Sequence, residues 1–352
     1  MGKGRKIGVT LLWCAAAAAL LSVLGMLILS HEARGAAHEA IEECAVVDCR
    51  ASVPEQVSAT GDVLLLSPET AAQLGGEACD WLYGDRMVFF AGMTGAEVET
   101  CTGAPRTIRA AENGAVAGTG LLLGSEGYCY LTLYGTETED VERLARWAWA
   151  FAADCAGVSV CREAENDGIC PPARPDALAV TPVHGKNGAP RGTLGWMLYS
   201  TTSLGVQSVN HMPRDTYAVV CVSAFQPEGG SCRRLTTALQ VPEQQEILGE
   251  SILPDGRAGT ESTGDITGFS WTYTAPGAYR GKSMLSQEHQ PSWELRPDWP
   301  RRGQSWAMAQ GIHVSHQTAE ADRGEITVTV SAPLSLFGGE TAFSETYDFA
   351  IA

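Results

Sequence analysis

The sequence predicts an α+β protein with a single N-terminal transmembrane helix, followed by a disulfide-rich mixed α/β region and a mainly β C-terminal region. Three observations lead there. A basic N-terminus precedes an uncharged apolar stretch, ten of the eleven cysteines lie beyond it, and short strand-like runs bounded by glycine surround one amphipathic helix. The divisions expected are a cytoplasmic stub (1–6), the transmembrane helix (7–30), a disulfide-rich α+β domain (31–166), a Pro/Gly-rich linker (167–192) and a mainly β domain (193–352). With 45% hydrophobic and 18% charged residues, the 352-residue chain has the composition of a folded protein rather than a disordered one.

The stretch from Ile7 to Ser30 is long enough, at about 1.5 Å per residue, to cross a ~30 Å hydrocarbon core as a helix. A cleaved signal peptide is the rival reading, with Gly35-Ala36-Ala37 as the cut site, but such cores usually run about 7–15 residues. Lys3, Arg5 and Lys6 precede the stretch, while Glu32, Glu39, Glu42 and Glu43 follow it. The positive-inside rule then puts the N-terminus in the cytoplasm and the rest in the lumen or outside the cell. Gly2 does not mark myristoylation, because Lys6 stands where that motif wants Ser or Thr. The partners expected are the lipid bilayer through 7–30 and other membrane or lumenal proteins. A net charge of −17 repels phosphate backbones and argues against nucleic acid.

Cys14 lies in the apolar stretch. Cys44, Cys49, Cys79, Cys101, Cys129, Cys155, Cys161, Cys170, Cys221 and Cys232 form an even set in a region expected to be oxidising, which reads as disulfides. The alternative is that several are small buried residues. Cys221 and Cys232 flank the turn Pro227-Glu228-Gly229-Gly230 and are expected to pair across it. No CxxC pair occurs, so zinc-ribbon and redox motifs are absent.

Residues 31–43 have helix-compatible composition. Asp62–Leu66, Met87–Phe90, Leu121–Leu123 and Tyr128–Tyr134 read as short strands. Within Thr138–Cys155, apolar residues recur at Val141, Leu144, Ala145, Ala148, Phe151 and Ala152, giving one helical face, with Trp147 and Trp149 widening it as packing residues. Further strands are expected at Leu194–Tyr199, Tyr217–Phe225, Phe269–Thr274 and Ile326–Ala332. Pro291, Pro297 and Pro300 mark Gln287–Arg302 as a loop pinned by Trp293 and Trp299.

No catalytic, cofactor-binding or metal-ligating set emerges. Gly281-Lys282-Ser283 lacks the earlier glycine of a phosphate loop, since Pro276 stands at that position. His313 and His316 sit three apart in an extended neighbourhood and so point to opposite sides. His184 and His211 read as surface loop residues, and no Gly-x-Ser-x-Gly elbow is present. Glu137, Glu139, Asp140 and Glu142 read as a solvated helix start, and Asn113, Asn166, Asn187 and Asn210 all lack the glycosylation sequon.

His31-Glu32-Ala33-Arg34 at the end of the apolar stretch, followed by Gly61-Asp62-Val63-Leu64-Leu65, resembles the start of the LUMA (transmembrane protein 43) family. Arg323-Gly324-Glu325-Ile326-Thr327-Val328 is similar to a later strand of that family. The resemblance covers about a sixth of the chain. It implies a domain of the endoplasmic reticulum or nuclear envelope that organises membrane proteins, with no catalytic residues; the C-terminal membrane helices of that family are missing here. The leading function is a non-enzymatic, membrane-tethered scaffold. The alternatives are a surface or envelope recognition protein, such as an adhesin or viral envelope component, and an extracytoplasmic hydrolase drawing on His211, His289, His313 or His316.

Overall fold

The computed structural model describes residues 44–53, 61–124, 127–135, 140–153, 158–162, 173–184, 190–201, 204, 206–209, 212–228, 231–253, 261–274, 277, 279–287, 289–298, 303–316, 323–333 and 340–350. The first half holds strands β1 (Val46–Asp48), β2 (Val63–Leu66), β3 (Met87–Ala91), β4 (Ile108–Ala110), β5 (Val116–Leu123), β6 (Tyr128–Tyr134) and β7 (Val158–Arg162). Helices α1 (Pro68–Leu74), α2 (Gly95–Thr102) and α3 (Val141–Ala153) lie between them, with a 3-10 segment at Gly75–Trp81. Next come β8 (Ala177–His184), β9 (Pro190–Ser200), β10 (Val206–Val209), β11 (Met212–Pro227), β12 (Leu235–Gln240) and β13 (Gln245–Leu253). The last strands are β14 (Glu261–Ile266), β15 (Phe269–Thr274), β16 (Tyr279–Gln287), β17 (Gln290–Pro297), β18 (Trp306–His316), β19 (Arg323–Pro333) and β20 (Glu340–Ala350).

An eleven-stranded central sheet runs β1-β2-β3-β5-β6-β8-β9-β11-β18-β13, with β10 against the start of β11. A six-stranded sheet (β16-β17-β12-β19-β20-β4) and a three-stranded sheet (β14-β15-β7) pack around it. Both faces of the central sheet are covered, and that is why its strands read as unbroken apolar runs. Val63, Leu65, Met87 and Phe89 face one layer, while Leu64, Leu66, Val88 and Phe90 face another.

Three cores result. On one face, α1, α2 and the 3-10 segment cover the first strands. Further along the same face, Tyr217, Val219 and Phe225 of β11 and Trp306, Met308 and Ile312 of β18 meet Leu235, Trp293, Val328 and Tyr347 of the six-stranded sheet. The opposite face carries α3 through Leu144, Ala148 and Phe151, and the small sheet through Phe269, Trp271 and Tyr273. Trp271 lies against Gly311 so closely that a Cβ there would sit 2.6 Å from the indole.

The expected α+β class with a transmembrane helix is corrected to a β-rich sandwich, with 61% strand against 15% helix among the described residues. The short strands of the first half do not build a separate α+β unit. They enter the same sheet as the later strands, because β6 pairs in parallel with β8, which lies inside the Pro/Gly-rich stretch 167–192.

The single-pass membrane architecture, its orientation and the bilayer as partner are corrected as well. Among the described residues no helix is long and apolar enough to cross a membrane, and the stretch 7–30 lies outside them. The longest described helix, α3, has 13 residues and spans about 20 Å, short of a ~30 Å hydrocarbon core. The helix expected at 31–43 also lies outside the described residues.

The disulfide expectation is corrected too, since no disulfide joins the described cysteines to one another. The expected Cys221–Cys232 bond is not formed: Cys232 is buried and its thiol donates to the Arg234 carbonyl at 3.2 Å. The cysteines are dispersed among separate cores, Cys44 and Cys129 on the α3 side and Cys49 on the α1–α2 side, as small apolar packing residues. Burial pushes the Cys44 and Cys232 thiols up to about 12. Cys155 and Cys170 lie outside the described residues. Iodoacetamide in denaturant without reductant is therefore expected to label Cys44, Cys49, Cys79, Cys101, Cys129 and Cys232. Peptide mapping that found any of these six already oxidised would overturn the assignment.

The proline-marked loop at Gln287–Arg302 is largely a strand, β17. Pro291 is tolerated beside the irregular register between Met284 and Gln287, and Pro297 closes the strand. Trp293 is buried as expected, while Trp299 lies outside the described residues. The outer strands other than β7 and β10 are guarded. β1 and β4 have three residues each, β13 and β16 carry register shifts, and β14 exposes Glu261 and Asp265.

Candidate functional site

Helix α3 starts where the Asp140 carboxylate accepts from the Glu142 and Arg143 amides, at 3.1 and 3.4 Å. Arg146 pairs with Glu142 at 2.7 Å and donates to the Cys44 carbonyl, clamping the helix onto the sheet. Its last turn carries Ala152 and Ala153 beside the buried Phe151, and these small side chains leave space over the sheet. A cleft of about 150 Å³ remains there, lined by Leu122, Leu123, Cys129, Trp149, Ala152 and Leu178, with Gly84, Asp85 and Arg174 among the residues that close it.

The cleft wall is fixed by hydrogen bonds. Trp149 Nε1 donates to the Asp85 carbonyl at 2.8 Å. Arg174 Nη1 donates to the carbonyls of Gly84 at 2.8 Å and Leu123 at 3.1 Å, and Nη2 reaches Asp85 Oδ1 at 3.2 Å. Both partners of that ion pair are substantially exposed, so it orients the loop more than it stabilises the fold. Burial, with the Asp176 charge adding to it, holds the Cys129 thiol well above its ordinary value. A thiol so placed stays protonated and is no nucleophile.

Tyr83 projects from the same loop and is 64% exposed. The loop is tight: Tyr83 N donates to the Trp81 carbonyl at 2.9 Å, and Gly84 takes φ +62°, a region that favours glycine. Arg86 lies 5.0 Å over the Trp81 ring. Trp149 and Arg174 thus bond to the loop that carries Tyr83 and Arg86, while Trp81 at its start is buried. The sequence reading took Trp149 as packing and passed over Tyr83, Asp85 and Arg174. The available signal was the turn Trp81-Leu82-Tyr83-Gly84-Asp85-Arg86, in which an aromatic pair precedes a glycine and an Asp-Arg pair follows it.

A second cluster joins sheets. Glu345 of β20 is fully buried. It accepts from the amides of Glu112 at 2.8 Å, Thr346 at 3.1 Å and Asn113 at 3.3 Å, and from the Tyr134 hydroxyl. Burial raises its carboxyl above the ordinary range, and the Glu112 charge adds to that. Glu112, at φ +57°, accepts in turn from Gly95 N at the start of α2, 2.8 Å away, and meets Arg106 at 3.5 Å. Arg106 also pairs with Glu99 at 3.0 Å. These contacts tie β20 of the six-stranded sheet to β6 of the central one.

The other sequence-marked residues do not converge. His313 and His316 lie on β18 and point to opposite faces, as the extended reading required. His184 is exposed, His211 lies outside the described residues, and no histidine lines the cleft. Gly281-Lys282-Ser283 lies inside β16, not ahead of a helix. Among the described residues no group of three or more His, Cys, Asp or Glu could hold a metal ion.

No protein-family model and no curated protein matches the chain. Solved structures similar to part of it include the collagen-binding subdomain of the Enterococcus faecalis surface protein ACE, at 10% identity and TM-score 0.25, covering 42% of this chain and 92% of that one. Another is a cohesin module from a Clostridium perfringens family 33 glycoside hydrolase, at 6% identity and TM-score 0.27, covering 44% and 93%. A third is the major pilin SpaD of Corynebacterium diphtheriae, at 7% identity and TM-score 0.27, covering 43% and 34%. Likeness at this level carries no functional weight.

Proposed function

We propose that this chain is a surface-recognition protein, which grips a partner protein through the Tyr83 loop and the cleft beside it. One observation carries the reading: Tyr83 is the only large hydrophobic side chain exposed among the described residues, and the next two residues of its loop, Gly84 and Asp85, line the cleft. Interface hot spots are enriched in Tyr, Trp and Arg, and this region supplies Tyr83, Arg86, Trp149 and Arg174, with Trp81 buried beneath Arg86. The guarded sheet edges disfavour capture by strand addition, which leaves side-chain recognition as the mode.

The test is selection of a displayed random-peptide library on the full chain. Enriched clones are expected to lose at least about tenfold in affinity against Tyr83→Ala, a hot-spot effect. The variant should unfold at the wild-type temperature, because the ring is exposed. An absence of enriched clones, or clones that bind Tyr83→Ala as tightly as wild type, would remove the proposal.

A further inference from the structure

Resting on that reading, we infer that the cleft is a subsite for one aromatic side chain of the partner, adjacent to a basic residue whose cation meets Asp85. Size comes first: a partly open cleft of about 150 Å³ has room for a benzene-sized group. Leu122, Leu178, Pro175 and Ala152 provide the apolar part of its walls, and the partly exposed Asp85 and Arg174 provide the polar part. The shape favours a flat ring over a branched aliphatic one. Trp149 is locked by its bond to the Asp85 carbonyl, and the Arg174 guanidinium is held by the Gly84 and Leu123 carbonyls, so two planar groups border the opening. The Cys129 sulfur lies among the lining atoms, a favourable neighbour for an aromatic edge.

Charge selects the neighbour. Asp85 is 83% exposed at the mouth, and Glu77 and Asp80 are exposed on the segment leading into the loop. The chain as a whole carries −17. A basic residue beside the aromatic one is attracted at long range by the net negative chain and competes with Arg174 for the Asp85 carboxylate on arrival, whereas an acidic one is repelled by the chain as a whole.

Three capped dipeptides probe this on the full chain: N-acetyl-Phe-Lys-amide, N-acetyl-Phe-Glu-amide and N-acetyl-Ala-Lys-amide. The readout is the Trp149 indole N–H resonance, assigned with Trp149→Phe. Phe-Lys is expected to bind tightest, Ala-Lys about tenfold or more weaker, and Phe-Glu roughly two- to fivefold weaker. Ala153→Trp, at an exposed position on the cleft lining, should block the Phe-dependent shift while the protein keeps its thermal transition. Asp85→Asn should erase the Lys-over-Glu preference and leave the Phe-over-Ala preference intact. Equal binding of Phe-Lys and Ala-Lys, or an undiminished shift in Ala153→Trp, overturns the aromatic subsite. A Lys-over-Glu preference that survives Asp85→Asn overturns the basic neighbour. If library clones depend on Tyr83 yet show no aromatic preference, this inference fails while the recognition reading stands; clones indifferent to Tyr83 remove the reading itself.

Discussion

Replacing Trp196 by alanine should lower the unfolding free energy by about 3–5 kcal/mol, the range for deleting a fully buried Trp. Trp196 is 0% exposed and belongs to β9, in the middle of the central sheet. Its ring stacks on Phe343 of β20 at 4.4 Å and 29°, and meets Tyr347 edge-on at 6.4 Å and 83°. Its Nε1 donates to the Tyr347 hydroxyl at 3.0 Å. The substitution therefore removes ring volume from between two sheets and leaves a buried phenol with one bond fewer. Trp196→Phe restores much of the volume without the donor and should cost clearly less. Urea unfolding with a constant slope measures both. A loss below about 1 kcal/mol for the alanine variant would mean that the two sheets are not held together at this point.

The second large effect concerns Glu345. Glu345→Ala leaves the buried Tyr134 hydroxyl and the part-buried Glu112 amide facing an absent acceptor, at about 1–3 kcal/mol for a buried group, while the exposed Asn113 amide can turn to water. A loss of about 2–3 kcal/mol is expected, read again by urea unfolding. The pH dependence has a definite sign. Burial raises the folded carboxyl above its unfolded value, so the native state holds this proton more tightly. The resulting stabilisation is complete below the unfolded value, near 4.5, and is lost as pH rises through the higher folded value. Glu97 shifts downward through its bonds to Thr94, and Glu99 is lowered through its bonds and charge contact with Arg106, against opposing desolvation. Both work in the opposite sense. The diagnostic quantity is thus the difference between wild type and Glu345→Gln, which should grow in favour of wild type on acidification from neutral toward pH 4.5. A difference that stays flat would show that this carboxyl is not shifted.

Much of the β structure was readable from the chain because both faces of the central sheet are buried. Val63-Leu64-Leu65-Leu66 and Met87-Val88-Phe89-Phe90 admit few other readings once glycine brackets them. Helix α3 was equally plain from its apolar face. Helices α1 and α2 were missed because seven or eight residues show little periodicity, yet their capping boxes, Ser67 with Thr70 and Thr94 with Glu97, were present in the sequence. The cysteine count misled, because an even number says nothing about the approach of two sulfurs: Cys221 and Cys232 share one core, and Cys44 and Cys129 another, with no disulfide between them. The fold class failed on a long-range fact: nothing local in Tyr128–Tyr134 announces a parallel partner at Ala177–His184. The cleft was hidden for the same reason, since Asp85, Trp149 and Arg174 meet only once the sheet is assembled.

The parallel seam between β6 and β8 has a wider consequence. Parting the sheet between these two strands would strip a bare row of amides along each half and unroof two greasy layers together. The two halves are therefore expected to melt as a single cooperative unit.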